Sequence, residues 1–342
     1  MTNALEIIQN YSGKKLRIME VCGTHTHEIF RHGIRKLLPQ NIELITGPGC
    51  PVCVTPVDFI DEALWLAGHG VTITTFGDLV RVPGSEKNLA DARGEGAKLQ
   101  IVYSPLDAVE LAEKNPSRQY VFLSVGFETT VPASCLAVCH AKQKGLKNFS
   151  LLTANKTMPE AYGALCGSAE AFLYPGHVSV ITGTSLYEKL RKQGISGVVT
   201  GFEAEEILTA LAVIVQNFKS GAPFFENCYP RVVKPQGNVA AMKIIEKTMQ
   251  PCDAEWRGLG VIKNSGLKLN ADFAEFDARL KFSMPEIKGH ANPACRCGEV
   301  LRGSCKPYDC PLFGRLCNTE NPVGACMVSS EGACSAYFKY GL

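Results

Sequence analysis

Between residues 16 and 200 the chain repeats one pattern. Short apolar, β-branched runs alternate with stretches whose apolar residues fall at helical spacing. The runs are LRIMEV, IELIT, VTITTF, LQIVY, YVFLSV, SLLTA, VSVIT and GVVT. Between them lie DFIDEALWLAGHG, PLDAVELAEK and SLYEKLRKQG. Strands alternating with helices require right-handed crossovers and therefore parallel sheets. Near-continuous apolar strands fit sheets covered on both faces. The expected fold class is α/β. Eight strands can form two open sheets or close into one barrel. Residues Val82–Leu99, rich in Gly and charge, break the spacing and favour two sheets. After about residue 215 the rhythm stops, and a mixed segment with two candidate helices follows. Gly289–Cys310 then has no period and is expected to be held by something other than a large apolar core.

The loops after the strands carry the chemistry, because ligands of parallel α/β folds bind at the strands' carboxyl ends. CGTHTHE follows the first run, GPGCPVC the second, GFETT the fifth. GFE recurs at Gly201–Glu203, which fits two similar halves. Cys22, His25, His27 and Glu28 share one turn, where a soft metal ligand or a nucleophilic thiol with a histidine base would both fit. A helix N-terminus there is expected to lower the Cys22 pKa. Cys50 and Cys53 form a C-x-x-C in a stiff Gly/Pro loop and read as a redox dithiol more readily than half a zinc site, since no second C-x-x-C exists.

Composition matters most for sulfur. The 342 residues include 15 cysteines, 46% hydrophobic residues and a formal charge of only +2, so nucleic acid and anionic membrane partners are not expected. No apolar run is long enough to cross a bilayer. MTNALEIIQNYSGKK lacks a basic stretch leading into an apolar one, so a cytoplasmic, thiol-reducing setting is expected. Cys135, Cys139, Cys166, Cys228 and Cys252 have no metal spacing and read as small buried residues. Seven cysteines crowd the last fifty positions. Of these, Cys310, Cys317, Cys326 and Cys334 can wrap one zinc or one [4Fe–4S] cluster, and spacing alone does not choose between them. No GxGxxG follows the first strand and no Walker A motif exists, so a nucleotide cofactor is not expected.

CGTHTHE, GPGCPVC, GFETT, PGHVS and CGEVLRG…DCPLFG…PVGACMVSSEGAC, in that order, resemble the HypD family of hydrogenase maturation factors. The resemblance runs from about residue 16 to the end. It implies two similar parallel-sheet α/β domains facing a cleft and a cysteine-rich domain with a [4Fe–4S] cluster. The expected boundaries are 1–117, 118–215 and 216–342. It also implies a scaffold that, with a small HypC-type chaperone, holds the iron of the Fe(CN)2CO moiety of [NiFe] hydrogenase, with a HypE-type partner delivering cyanide. By motif, Cys22 corresponds to the iron-binding cysteine, Cys50 and Cys53 to the redox pair, and Cys310, Cys317, Cys326 and Cys334 to the cluster ligands. His25 and His27 would orient the site or move protons. Cys305 and the pair Cys295 and Cys297 are left without a role. The competing class is a stand-alone iron–sulfur oxidoreductase with a small substrate in the cleft.

Overall fold

The computed structural model describes residues 2–341. Its strands are β1 Leu16–Glu20, β2 Ile42–Thr46, β3 Thr72–Thr75, β4 Leu99–Ile101, β5 Tyr120–Ser124, β6 Phe149–Thr153, β7 Asn155–Lys156, β8 Ala171–Pro175, β9 Gly197–Thr200, β10 Phe225–Asn227, β11 Met249–Trp256 and β12 Gly260–Leu269. Two parallel sheets result. Sheet A has the order β10-β9-β8-β1-β2, and sheet B the order β4-β3-β5-β6. A third sheet joins the antiparallel hairpin β11–β12 to the short β7. The α/β expectation holds, as two open sheets rather than one barrel.

Alternation within each strand explains the layering. In β1, Leu16 and Ile18 face one core and Met19 faces another. In β8, Ala171 and Leu173 join the first core, Phe172 and Tyr174 the second. In β5, Tyr120 and Phe122 pack outward, while Val121 and Leu123 enter the core that Met19 and Phe172 share. Strands buried on both faces need no polar positions, which is why they read as solid apolar runs. The inner faces of both sheets thus meet in one core. That core continues through Trp256 to Cys53, Cys297, Cys317, Cys326 and Cys334.

The sheets do not follow the expected boundary at 117/118. Sheet A takes β1 and β2 from the N-terminal stretch and β8, β9 and β10 from residues 171–227, whereas sheet B is built from residues 72–153 alone. Chain order groups strands only where successive strands pair, and after β2 the chain leaves sheet A to build sheet B before returning.

A second correction concerns the seventh run. VSVIT lies in the helix Gly176–Thr182, and the strand is the preceding AFLYP. A short apolar run does not distinguish a buried strand from a buried helix, and the proline closing AFLYP hides the strand. Ser179 and Thr182 donate to the carbonyls of Pro175 and Val178 four residues back, absorbing their polarity into the helix. The other seven runs form strands. Helices Val57–Gly68, Pro105–Lys114 and Ser185–Lys192 lie in the three expected stretches. The hairpin β11–β12 was not anticipated. Its signal was RGLG between two extended runs, with Gly258 and Gly260 at φ 83° and 77°. Gly289–Cys310 is irregular as expected except for two short helices, Cys297–Leu301 and Pro307–Asp309.

Candidate functional site, a sulfur-lined centre at the edge of sheet A

In sheet A, successive strands run from β1 to β2 on one side and from β8 through β9 to β10 on the other. The order reverses between β1 and β8, and such a switch point leaves a crevice at the carboxyl ends. Cys22 follows β1 there as the residue before helix Gly23–Arg31. His177 follows β8 and Gly201–Phe202 follows β9.

Cys22 is buried, and burial pushes its thiol up to about 11. The amides of His25 and Thr24 pull in the opposite direction but lose, and the nearby Glu331 carboxylate adds to the rise. The expected lowering at a helix N-terminus is therefore overturned by desolvation. His25 is fully buried. Its Nε2 lies 2.8 Å from the Gly201 carbonyl, to which it donates, while Nδ1 has no partner among the described residues. Burial holds His25 down to about 4, so it is a neutral imidazole. Its ring lies 4.8 Å from Phe202, which in turn stacks on His177 at 4.0 Å. His27 points away, edge-on to Tyr340 at 5.3 Å, and Glu28 faces Arg31 and His32. The structure thus joins Cys22 and His25 but places His27 and Glu28 outside the crevice.

Glycine 49 explains how the second motif reaches the first. A Cβ on Gly49 would lie 2.2 Å from the Cys22 nitrogen and 2.4 Å from its Cα. Only glycine permits that approach, and the Gly23 amide donates to the Gly49 carbonyl at 3.1 Å. Cys50 then precedes the one-turn helix Pro51–Val54, which carries Cys53 inward.

Cys53 meets the tail. Its thiol contacts Cys50 on one side and Cys326 on the other. Cys326 also receives hydrogen bonds from Cys297 and Cys334, which hold it below the ordinary thiol value while Cys53 and Cys334 are driven up. Cys295 is pushed up by its contact with Cys297, and Cys317 by burial with both nearby. A Cβ on Gly324 would meet Cys297 Sγ at 2.5 Å and Cys295 Sγ at 2.7 Å, so this glycine leaves the room those sulfurs occupy. Cys317 Sγ accepts from the Val323 amide at 3.3 Å. Cys310 sits toward the surface, its Sγ 3.9 Å from the Ala294 carbonyl, with Cys305 beside it. Of the expected quartet, Cys326 and Cys334 touch, Cys317 is near and Cys310 stands apart. Of the five mid-chain cysteines expected to be buried, Cys135 is fully buried, Cys139, Cys228 and Cys252 are half-buried, and Cys166 is exposed.

Two residues escaped the sequence reading. Glu331 accepts from Thr24 Oγ1 at 2.8 Å, and its Cβ is so close to Gly23 that a side chain there would collide at 2.4 Å. His177 was hidden by the misread strand. Their signal was position, since both stand in motifs already noted, PGHVS and SSEGAC.

Among the described residues no group of three or more His, Cys, Asp or Glu is arranged to hold a single metal ion. The chemistry of the donor set nevertheless fits a soft metal group, because the clustered donors are buried thiols. No helix is long and apolar enough to cross a membrane among the described residues.

Fold and site together define a class: a parallel α/β protein in which the loop of a C-x-x-C packs against a strand-end cysteine and the C-x-x-C thiols contact those of a cysteine-rich tail. The chain matches the HypD family model, described as the hydrogenase formation hypA family, over residues 1–341, and it belongs to that family. Hydrogenase maturation factor HypD of Azotobacter vinelandii is 43% identical over 341 residues, covering 96% of this chain and 90% of the relative. The HypD of Escherichia coli strain K12 is 44% identical over 336 residues, with 96% and 90% covered. The HypD of Rhodobacter capsulatus is 43% identical over 339 residues, with the same coverage, 96% and 90%.

Proposed function

We propose that this chain is a hydrogenase maturation factor that acts as a redox-active scaffold for assembling the Fe(CN)2CO moiety, in complex with a HypC-type chaperone and supplied with cyanide by a HypE-type partner. The observation that carries the reading is the packing of the Gly49 loop on the Cys22 backbone together with the thiol contacts from Cys50 through Cys53 and Cys326 to Cys297.

In this reading the cargo is iron, and Cys22 is its protein ligand. Low-spin iron carrying cyanide and carbon monoxide is soft, and thiolate suits it. Burial keeps the Cys22 thiol protonated until a cation arrives, so the proton leaves as the metal binds. Neutral His25, fixed by its bond to Gly201, keeps one ring nitrogen free as an acceptor. Cys50 and Cys53 exchange two electrons and two protons between the dithiol and the disulfide. Cys326, in contact with Cys53 and Cys297, continues that exchange inward.

The tail would hold a [4Fe–4S] cluster, which supplies single electrons to the dithiol. The expected quartet is kept, because Cys334 touches Cys326. Cys326 lies between Cys53 and Cys334, Cys317 lies near Cys295 and Cys297, and the Cys310 sulfur faces the Ala294 carbonyl. The proposed ligands are Cys310, Cys317, Cys326 and Cys334.

Infrared spectra of the chain purified with its small partner test the reading. Cys22→Ser should abolish the cyanide and carbon monoxide bands while leaving about four iron and four sulfide per chain. Full-strength bands in that variant would remove Cys22 as the anchor. For the tail, Cys326→Ser should lose cluster iron and Cys295→Ser should keep it. The reverse result would exchange Cys326 for Cys295 in the quartet.

A further inference from the structure

At the carboxyl end of β6, sheet B has a cavity of its own, about 700 Å³, closed by helix Val57–Gly68 and the β11–β12 hairpin. Lys156 lines it. The residue is only 3% exposed, and its ammonium has no hydrogen-bond or ion-pair partner among the described residues. The nearest aromatic ring, Trp256, is 5.7 Å from Nζ, a weak substitute for an anion. A buried, unpaired ammonium is costly and calls for a counter-charge.

The neighbouring acids do not supply it. Glu62 is held by Arg279 through two bonds of 2.8 and 2.6 Å. Asp58 accepts from the Gly289 amide, Asp253 from the Asn264 amide and Asp277 from the Arg279 amide. Glu286 lies at 3.4 Å from Lys288 at the surface. Glu255 is exposed, and its carboxylate raises the Lys156 pKa only from a distance, without a hydrogen bond or ion pair and too weakly to offset burial. Lys156 is thus the buried cation that the lining leaves without a hydrogen bond or ion pair; Lys268, the other unpaired cation of the lining, is exposed to solvent. A single buried positive charge among these carboxylates suits a monoanion better than a phosphate dianion, which they would repel. Phe59, Leu267, Met284 and Ile287 supply apolar wall for the rest of a ligand.

We infer that this cavity is a second binding site, separate from the sulfur-lined centre, that takes a small organic carboxylate with an apolar body, its carboxylate on Lys156. Burial holds the Lys156 pKa down to about 8, so the amine is partly neutral and reactive in mildly alkaline buffer, and a bound carboxylate would push the pKa back up.

The test uses the full chain with phenylacetate, its neutral analogue phenylacetamide, butyrate and acetate. In the unmodified protein, acetylation of Lys156 by N-acetoxysuccinimide at pH 8, followed by peptide mass spectrometry, should be slowed about fivefold or more by saturating phenylacetate and not by phenylacetamide. Ligand-observed nuclear magnetic resonance should show phenylacetate binding that weakens about tenfold or more in Lys156→Met, the loss of one charge-assisted hydrogen bond. That variant should keep its iron and its infrared bands. The inference is overturned if none of the three carboxylates protects Lys156, if the amide protects equally, or if folded Lys156→Met binds phenylacetate as tightly as the parent.

Discussion

The carboxyl edges of the two sheets have the same construction and opposite chemistry. Each has a Gly-Phe-Glu after an apolar strand, and in each the glycine lies where a Cβ would strike a side chain of the following turn: Thr130 Oγ1 at 1.6 Å for Gly126, Glu206 Oε2 at 1.9 Å for Gly201. At sheet A the edge gathers sulfur and imidazole, and the glutamate, Glu203, is exposed. At sheet B the glutamate, Glu128, is buried, with Oε1 accepting from the Met158 amide at 2.9 Å and Oε2 unpaired among the described residues. Lys156 completes that edge. A repeated loop therefore fixes backbone geometry, while the residues around it decide whether the edge handles metal-binding thiols or charged organic groups.

The largest effect that would sharpen this contrast is at Gly49, which has no counterpart at sheet B. Gly49→Ala forces a Cβ into the Cys22 backbone, where nothing flexible can yield. Overpacking of about 3 kcal/mol and the lost Gly23–Gly49 hydrogen bond of about 1 kcal/mol predict a stability loss near 4 kcal/mol by urea unfolding. The variant should also lose the infrared bands of the bound cargo. A change below about 1 kcal/mol would mean that the edge of sheet A tolerates movement and that the approach of the C-x-x-C to Cys22 is not enforced.

Much of this is legible in the sequence, and the misses in strand pairing and in the tail share one cause. CGTHTHE and GPGCPVC were placed correctly at adjacent strand ends because β1 and β2 are successive strands that also pair. Sequence order failed wherever pairing skips. The β1–β8 contact could not be seen, so neither could the nearness of His177 to His25. Cys297 and Cys53 are 244 residues apart in the chain, yet both reach Cys326. Spacing within the tail favoured Cys310, whereas folding carries Cys297 inward on the short helix Cys297–Leu301 and leaves Cys310 near the surface. His27 looked equivalent to His25, but two positions along a helix turn the side chain to another face.

A smaller effect tests the buried acid of sheet B. Burial raises the Glu128 carboxyl from 4.5 to about 7. The folded state then holds a proton that the unfolded chain releases. Stability from this group is full below about pH 4.5 and is lost as pH rises through 7. Glu128→Gln cannot ionise, so between pH 5 and 8 the parent should lose up to about 3 kcal/mol relative to the variant. Parallel stability curves over that range would show that the carboxylate is already compensated and that the contrast with Glu203 is one of exposure only.

The smallest effect falls on Lys156, where the sign reverses. Burial lowers this amine from 10.5 to about 8, so the fold disfavours the charged form. The cost is fully present below pH 8 and is relieved as pH climbs toward 10.5, where the unfolded chain also loses its proton. Without added carboxylate, Lys156→Met should therefore be more stable than the parent by about 1–2 kcal/mol at pH 7, less than the full shift because the ammonium faces an open cavity. The advantage should vanish near pH 10. Thermal unfolding at pH 7 and pH 10 measures it, and saturating phenylacetate at pH 7 should narrow the gap by stabilising the parent alone. A variant less stable than the parent at pH 7 would mean that the Lys156 ammonium is already paired within the chain, and sheet B would then lack the open charge that separates its edge from that of sheet A.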